Sequence, residues 1–90
     1  MHFEWNSIKA RRNLRKHGVT FEEASSAFHD PLAVTGSDPD HSEDEERMIT
    51  FGMSSLGRLL VVAHTERGAA IRIINARIAT RHERRIYEEG

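Results

Sequence analysis

The chain of 90 residues contains no cysteine, which removes disulfide frameworks and thiolate metal centres from consideration. That absence also suits a reducing compartment. There is no long apolar run: the longest, Leu59 to Ala63, is far too short to cross a bilayer. The opening Met1-His2-Phe3-Glu4-Trp5 lacks the basic start and apolar stretch of a signal peptide. The expected location is therefore the cytoplasm, with no membrane contact. Glycine-rich phosphate loops, G-x-S-x-G and H-E-x-x-H are all missing, which excludes the nucleotide-binding, nucleophile-elbow and zinc-protease patterns. Trp5 and Tyr87 are too few for an aromatic platform that stacks a run of single-stranded bases.

A net charge of −1 is likewise no excess of either sign, and argues against a general nucleic-acid binder. The distribution along the chain says more. Residues 1–20 carry +4, residues 21–46 carry −9 with no Lys or Arg, and residues 47–87 carry +6. A chain segregated in this way can present a basic surface despite its neutral total.

The length fits one domain, residues 1–90, without an internal repeat or linker. Phe3 and Trp5 alternate with polar neighbours as a short strand over residues 1–5. Asn6 is placed to cap a helix to about His17, with Gly18 as its stop, and Ala10, Leu14 and His17 on one face. Lys9, Arg12 and Lys16 form a basic stripe on another face of it. Thr20 and Glu23 form a capping box for a second helix that buries Phe21, Ala24 and Phe28 and ends at Asp30-Pro31.

A strand is expected at Leu32 to Thr35, and an acidic loop from Gly36 to Glu46. Arg47 to Met53 and Leu59 to Thr65 read as a hairpin, followed by a turn at Glu66-Arg67-Gly68 and a strand from Ala70 to Asn75. A second capping box, Thr80 with Glu83, opens a last helix to about Glu88. This order predicts an α+β fold, a small antiparallel sheet with helices packed on one face.

Clustered arginines are the strongest chemical signal. Guanidinium groups match phosphate oxygens and stabilise charge that develops on a phosphoryl centre. Arg72, Arg77 and Arg81 are expected to converge where the last strand meets the last helix, and Arg67, Arg84 and Arg85 extend the basic surface, as do Lys9, Arg12 and Lys16. The same residues also suit an ordinary solvated face. Cleavage of RNA needs a base for the 2′-hydroxyl and an acid for the leaving oxygen, and His17, His64 and Glu66 are the proton-transfer candidates. Which is base and which is acid stays open. Asp38, Asp40, His41, Glu43 and Asp44 lack the spacing of a calcium loop, so neither metal nor cofactor is expected.

These residues also resemble a family. Phe3-Glu4-Trp5, Lys9-Ala10, Asn13-Leu14, the run Lys16 to Ala24, and Phe28-His29-Asp30-Pro31 are similar to the start of BrnT-type toxins. Arg72 to Arg77, followed by Ala79 to Glu88, resembles their more distinctive end. The likeness spans almost the whole chain and is weakest between Gly36 and Gly57. It implies a RelE-like fold, a metal-independent endoribonuclease that stops translation, and neutralisation by a BrnA-type antitoxin through which the complex would reach operator DNA only indirectly. Asn6, Asn75 and Ile78 depart from the family's usual Asp, Ser and Lys, and the last removes one phosphate contact. The competing reading is a non-catalytic partner-binding module acting as a transcriptional co-repressor.

Overall fold

The computed structural model describes residues 1–41 and 46–90. Its elements run β1 (His2–Glu4), α1 (Ser7–His17), α2 (Phe21–Ser26), β2 (Val34–Ser37), β3 (Met48–Met53), β4 (Leu59–Arg67), β5 (Ala70–Ile78) and α3 (Arg81–Glu89). Five strands form one sheet in the order β1-β5-β4-β3-β2. All neighbours are antiparallel except β1, which runs parallel to β5 and pairs with it only from Ala70 to Arg72. The α+β expectation holds. Of the acidic loop, residues 42–45, which include Glu43 and Asp44, lie outside the described residues.

Local signals set the helix ends. Asn6 Oδ1 accepts from the Ile8 and Lys9 amides at 2.9 and 3.1 Å, satisfying donors that the first turn leaves free. Gly18, at φ 70°, closes α1 in the left-handed conformation and returns its N–H to Leu14 O. Thr80 and Glu83 form the full reciprocal box at α3. Replacing Thr80 with Ala should therefore cost roughly 1 kcal/mol, read as a lower urea midpoint.

The box expected at α2 is only half formed. Thr20 Oγ1 accepts from Glu23 N at 3.0 Å, but the Glu23 side chain turns inward instead of capping in return. Its carboxylate takes Arg58 Nε at 2.9 Å and Ser54 Oγ at 2.6 Å, and the same guanidinium reaches Gly18 O at 3.0 Å. A buried carboxylate gains more from a guanidinium and a hydroxyl than from one exposed amide. The Arg58 hydrogen bond accordingly holds the Glu23 carboxyl below its usual range. The strand expected at Leu32 begins two residues later. Asp30 holds Leu32 N and Ala33 N in a turn, which leaves Leu32 exposed.

The core lies between α1, α2 and one face of the sheet. Val19, Phe21, Ala24 and Ala27 meet Leu60, Val62, Ile73 and Ala76, with Phe3, Trp5, Ala10 and Phe28 packed at the margin. The inward seam of α1 is shifted from the expected one: Leu14 is 48% exposed, whereas Asn13 is 6% exposed. The cause is the edge of β5 beyond Arg72, where β1 has ended. Asn13 stands in for the missing strand, donating from Nδ2 to Ala76 O (2.8 Å) and Val19 O (3.0 Å) and accepting from Ala76 N at Oδ1 (3.0 Å). Each bond satisfies a buried backbone group that would otherwise be stranded. At the other side of the core, a 3-10 turn at Ala27–His29 approaches β3 so closely that a Cβ on Gly52 would overlap the Ala27 carbonyl.

The third helix takes the other face. Strand alternation turns Ile49 and Phe51 away from the α2 side, and they share a groove with His82, Glu83 and Ile86 of α3. Tyr87 anchors the helix by donating to Asp30 Oδ2 at 2.6 Å. α1 and α2 share one face, as expected of the helices, but α3 departs from that expectation and lies across the opposite, outer one.

Candidate active site

The outer face owes its chemistry to an irregularity in β5. Ala63 opposes Asn75 and His64 opposes Ile73, so Ile74 is an extra residue without a partner. A bulge of this kind changes which side chains share a face. Arg72 and Arg77, five positions apart, would face opposite ways in a regular strand. With the bulge, Arg72, Asn75 and Arg77 all project outward with Thr65, Ala63 and Val61.

Arg77 and Asn75 border a cavity of about 160 Å³ floored by Ile49, Val61 and Ala63, with Arg47, Asp38, Asp40 and Glu83 around it. Arg77 makes a bidentate pair with Glu83, Nη1–Oε1 at 2.7 Å and Nη2–Oε2 at 2.8 Å. Glu83 Oε1 also accepts the Thr80 amide at 2.9 Å. The Arg77 hydrogen bond, against the cost of burial, pulls the Glu83 pKa down to about 2. Opposite, Arg47 Nε lies 3.1 Å from Asp38 Oδ2. Two arginine–carboxylate pairs therefore face one small polar chamber on an apolar floor. That arrangement can exchange a carboxylate for a phosphate, since both present paired oxygens to the guanidinium fork.

The arginine trio expected to converge does not form one cluster. Arg72 pairs with Glu4 of β1 at 3.0 Å, about 15 Å along the strand from Arg77 by its rise per residue. Arg81 is exposed in the first turn of α3, and Arg84 and Arg85 are exposed further along it. Glu66 and Arg67 are exposed at the far end of β4, opposite Ile71 and Ala70. His64 sits on the core face, 2% exposed, bonded to Thr50 Oγ1 at 2.8 Å and edge-on to Phe28.

The basic stripe of α1 fares differently. Lys9, Arg12, Lys16 and His17 line a groove of about 200 Å³ against Ile74 and Asn75. Asn75 borders both this groove and the arginine chamber, so the bulge joins the two basic regions of the sequence. Arg47, Asn75 and Glu83 are not among the site residues expected from the sequence. The Thr80–Glu83 spacing signals a cap and nothing in it signals Arg77, while Arg47 shows only as the first cation after the acidic run.

Burial pushes the His64 imidazole below its ordinary 6.5, partly opposed by Glu66. The folded chain holds a neutral ring while the unfolded chain takes up a proton, so this contribution is full above about pH 6.5 and is lost as pH falls below it. Glu83, at about 2 folded against 4.5 unfolded, adds a second loss as pH falls from 4.5 towards 2. Urea midpoints from pH 8 to 3 should fall in those two windows. A midpoint unchanged from pH 8 to 5 contradicts the first.

The five-stranded sheet, with two helices on one face and one on the other, defines a small α+β protein of a kind already solved. The chain aligns with the crystal structure of the Brucella abortus ribonuclease toxin BrnT at a TM-score of 0.71 and 20% identity, over 90% of this chain and 99% of that one. Residues 5–83 match the family model described as the ribonuclease toxin, BrnT, of type II toxin–antitoxin systems, and the chain belongs to this family. No curated protein matches it. Membership carries with it an RNA substrate and a cognate antitoxin. Among the described residues, no helix is long and apolar enough to cross a membrane.

Proposed function

We propose that the chain cleaves RNA in the outer-face chamber by attack of a 2′-hydroxyl on the adjacent phosphate, without a metal, and so stops translation. The observation that carries this reading is the pair of arginines, Arg47 just before β3 and Arg77 on β5, facing one polar cavity, each held by a carboxylate. A phosphate entering the chamber takes the place of Glu83 on Arg77. Glu83 then loses the hydrogen bond that depresses its pKa, and its affinity for a proton rises towards that of an ordinary carboxylate. The residue released by substrate is thereby made the proton acceptor for the 2′-hydroxyl. The guanidinium groups meet the charge that builds on the phosphoryl oxygens.

Lys9, Arg12, Lys16 and His17 extend the track for the RNA backbone across Asn75, and His17, on that track, is the candidate for the acid that protonates the leaving 5′-oxygen. Glu66 and Arg72 lie towards the far end of the sheet and His64 inside the core, so the reading assigns them no chemical step. The cognate antitoxin, of BrnA type, neutralises the toxin by covering the arginine chamber and the basic stripe of α1.

The test is product chemistry. Cleavage should persist in EDTA, leave 2′,3′-cyclic phosphate ends, and stop when the nucleotide 5′ of the cut is 2′-deoxy. Cleavage of the 2′-deoxy substrate would end this mechanism. A chain that cleaves nothing and only strengthens operator binding by its antitoxin would support the co-repressor alternative.

A further inference from the structure

The arginine chamber lies beside a second groove. Pro39, Ile49 and Glu83 border both, so the two are adjacent. The second encloses about 430 Å³ between β2–β3 and α3, with Ile49 and Phe51 beneath and His82 and Ile86 at its side. Its outer rim is β2, the last strand of the sheet, paired only with β3. Half of the backbone N–H and C=O groups of such a strand point away from its partner and are open to a ligand. Thr35 directs its hydroxyl to the opposite face, where it meets Thr50 at 2.7 Å, so the strand offers backbone here in place of a side chain. Gly36 offers none at all, and a Cβ built on it meets nothing within 4 Å.

We propose that this groove is a base-binding subsite, which receives one unstacked nucleobase beside the phosphate held at Arg47 and Arg77. The inference rests on the ribonuclease reading above. A base and its phosphate are one ribose apart, and the two cavities share a wall, so a single nucleotide can occupy both. The volume is at the small-molecule end of binding sites, suited to a ring and not to a protein segment. Single-stranded RNA is read where splayed bases stack on ring side chains and bond along their edges to polar groups. His82 supplies the ring, Ile49 and Ile86 the apolar slot, and the free edge of β2 the donors and acceptors. The protein thus takes one base in a slot and needs no aromatic platform.

The test uses the toxin freed from its antitoxin and an oligoribonucleotide with one mapped cut, in which each flanking nucleotide in turn is made abasic. One abasic position should raise KM on the order of tenfold, the worth of a stacked base, with a smaller change in kcat. Gly36→Phe fills the slot and should raise KM for the intact substrate by a similar factor, with no further effect on the abasic one. His82→Ala, at an exposed position, should act in the same direction with the fold intact. The abasic series needs no variant at all. Parental KM at every abasic position, or for both variants on intact RNA, overturns the proposal. If Arg47→Ala and Arg77→Ala lose cleavage while both groove variants behave as the parent, the chamber stands and the subsite falls. If the arginine variants also keep the parental rate, both readings fall. Parental cleavage by Gly36→Phe combined with escape from the antitoxin would make the groove the antitoxin's seat and overturn the base assignment.

Discussion

Arg77→Ala should lower RNA cleavage by about 10²–10³-fold, the usual loss when one preorganised donor to a developing oxyanion is removed. Arg77 meets Glu83 through two parallel bonds, a geometry that a phosphate can copy and a lysine cannot. Arg77→Lys should therefore recover little of the loss. The fold should barely notice, because the pair is part-exposed at 39% and 18% of its side chains and is worth about 1 kcal/mol or less. Glu83→Gln separates two roles of one residue. Glutamine still accepts the Thr80 amide and keeps the cap, but it cannot take a proton, so cleavage should drop about 10²-fold with helicity unchanged. Single-turnover cleavage beside circular dichroism reads both. Parental rates in Arg77→Ala and Arg47→Ala would place the chemistry elsewhere.

Gly52→Val should cost about 3 kcal/mol, near the top of what overpacking usually imposes. The added carbon would overlap the Ala27 carbonyl oxygen and lie 3.1 Å from its carbon, and backbone cannot rotate aside as a side chain does. The control is one strand away. Gly36→Val meets open space and exchanges a poor strand residue for a good one, so its urea midpoint should hold or rise. Equal midpoints for the two variants would mean that the 3-10 turn moves away from β3 without cost.

Features fixed within a few residues were legible in the sequence. Asn6, Gly18, Thr20 and Thr80 act on amides and carbonyls two to four positions away, and each stands where its helix begins or ends. Strand alternation likewise located β3 and β4 to within two residues at each end. What escaped depends on partners far along the chain. Leu14 looks like the inward residue of α1 until the strandless edge of β5 makes Asn13 more valuable there. Glu23 looks like half of a box until Arg58, 35 residues on, claims it.

The site follows the same division. Arg77 is expected just past a strand that ends at Asn75, but β5 runs on to Ile78 and includes it, and the Ile74 bulge, which decides its face relative to Arg72, has no signature in residue types. Arg47 and Glu83 become partners in one chamber only after the sheet and α3 have met. The family resemblance supplied the ribonuclease identity that the periodicities alone could not.

The pairing of β1 with β5 also has a kinetic side. It joins His2 to Ala70, and Asn13 reaches Ala76 across 63 residues, so one side of the sheet is closed by contacts between segments far apart in the chain. Loops of that size are slow to close, and their entropy is lost before the contacts are gained. On the ribosome, β1 and α1 emerge early and must wait for β5. Arg77 and Glu83 leave after every other strand of the sheet. The chamber that the proposed mechanism uses therefore takes shape only after β5 and the start of α3 have been made.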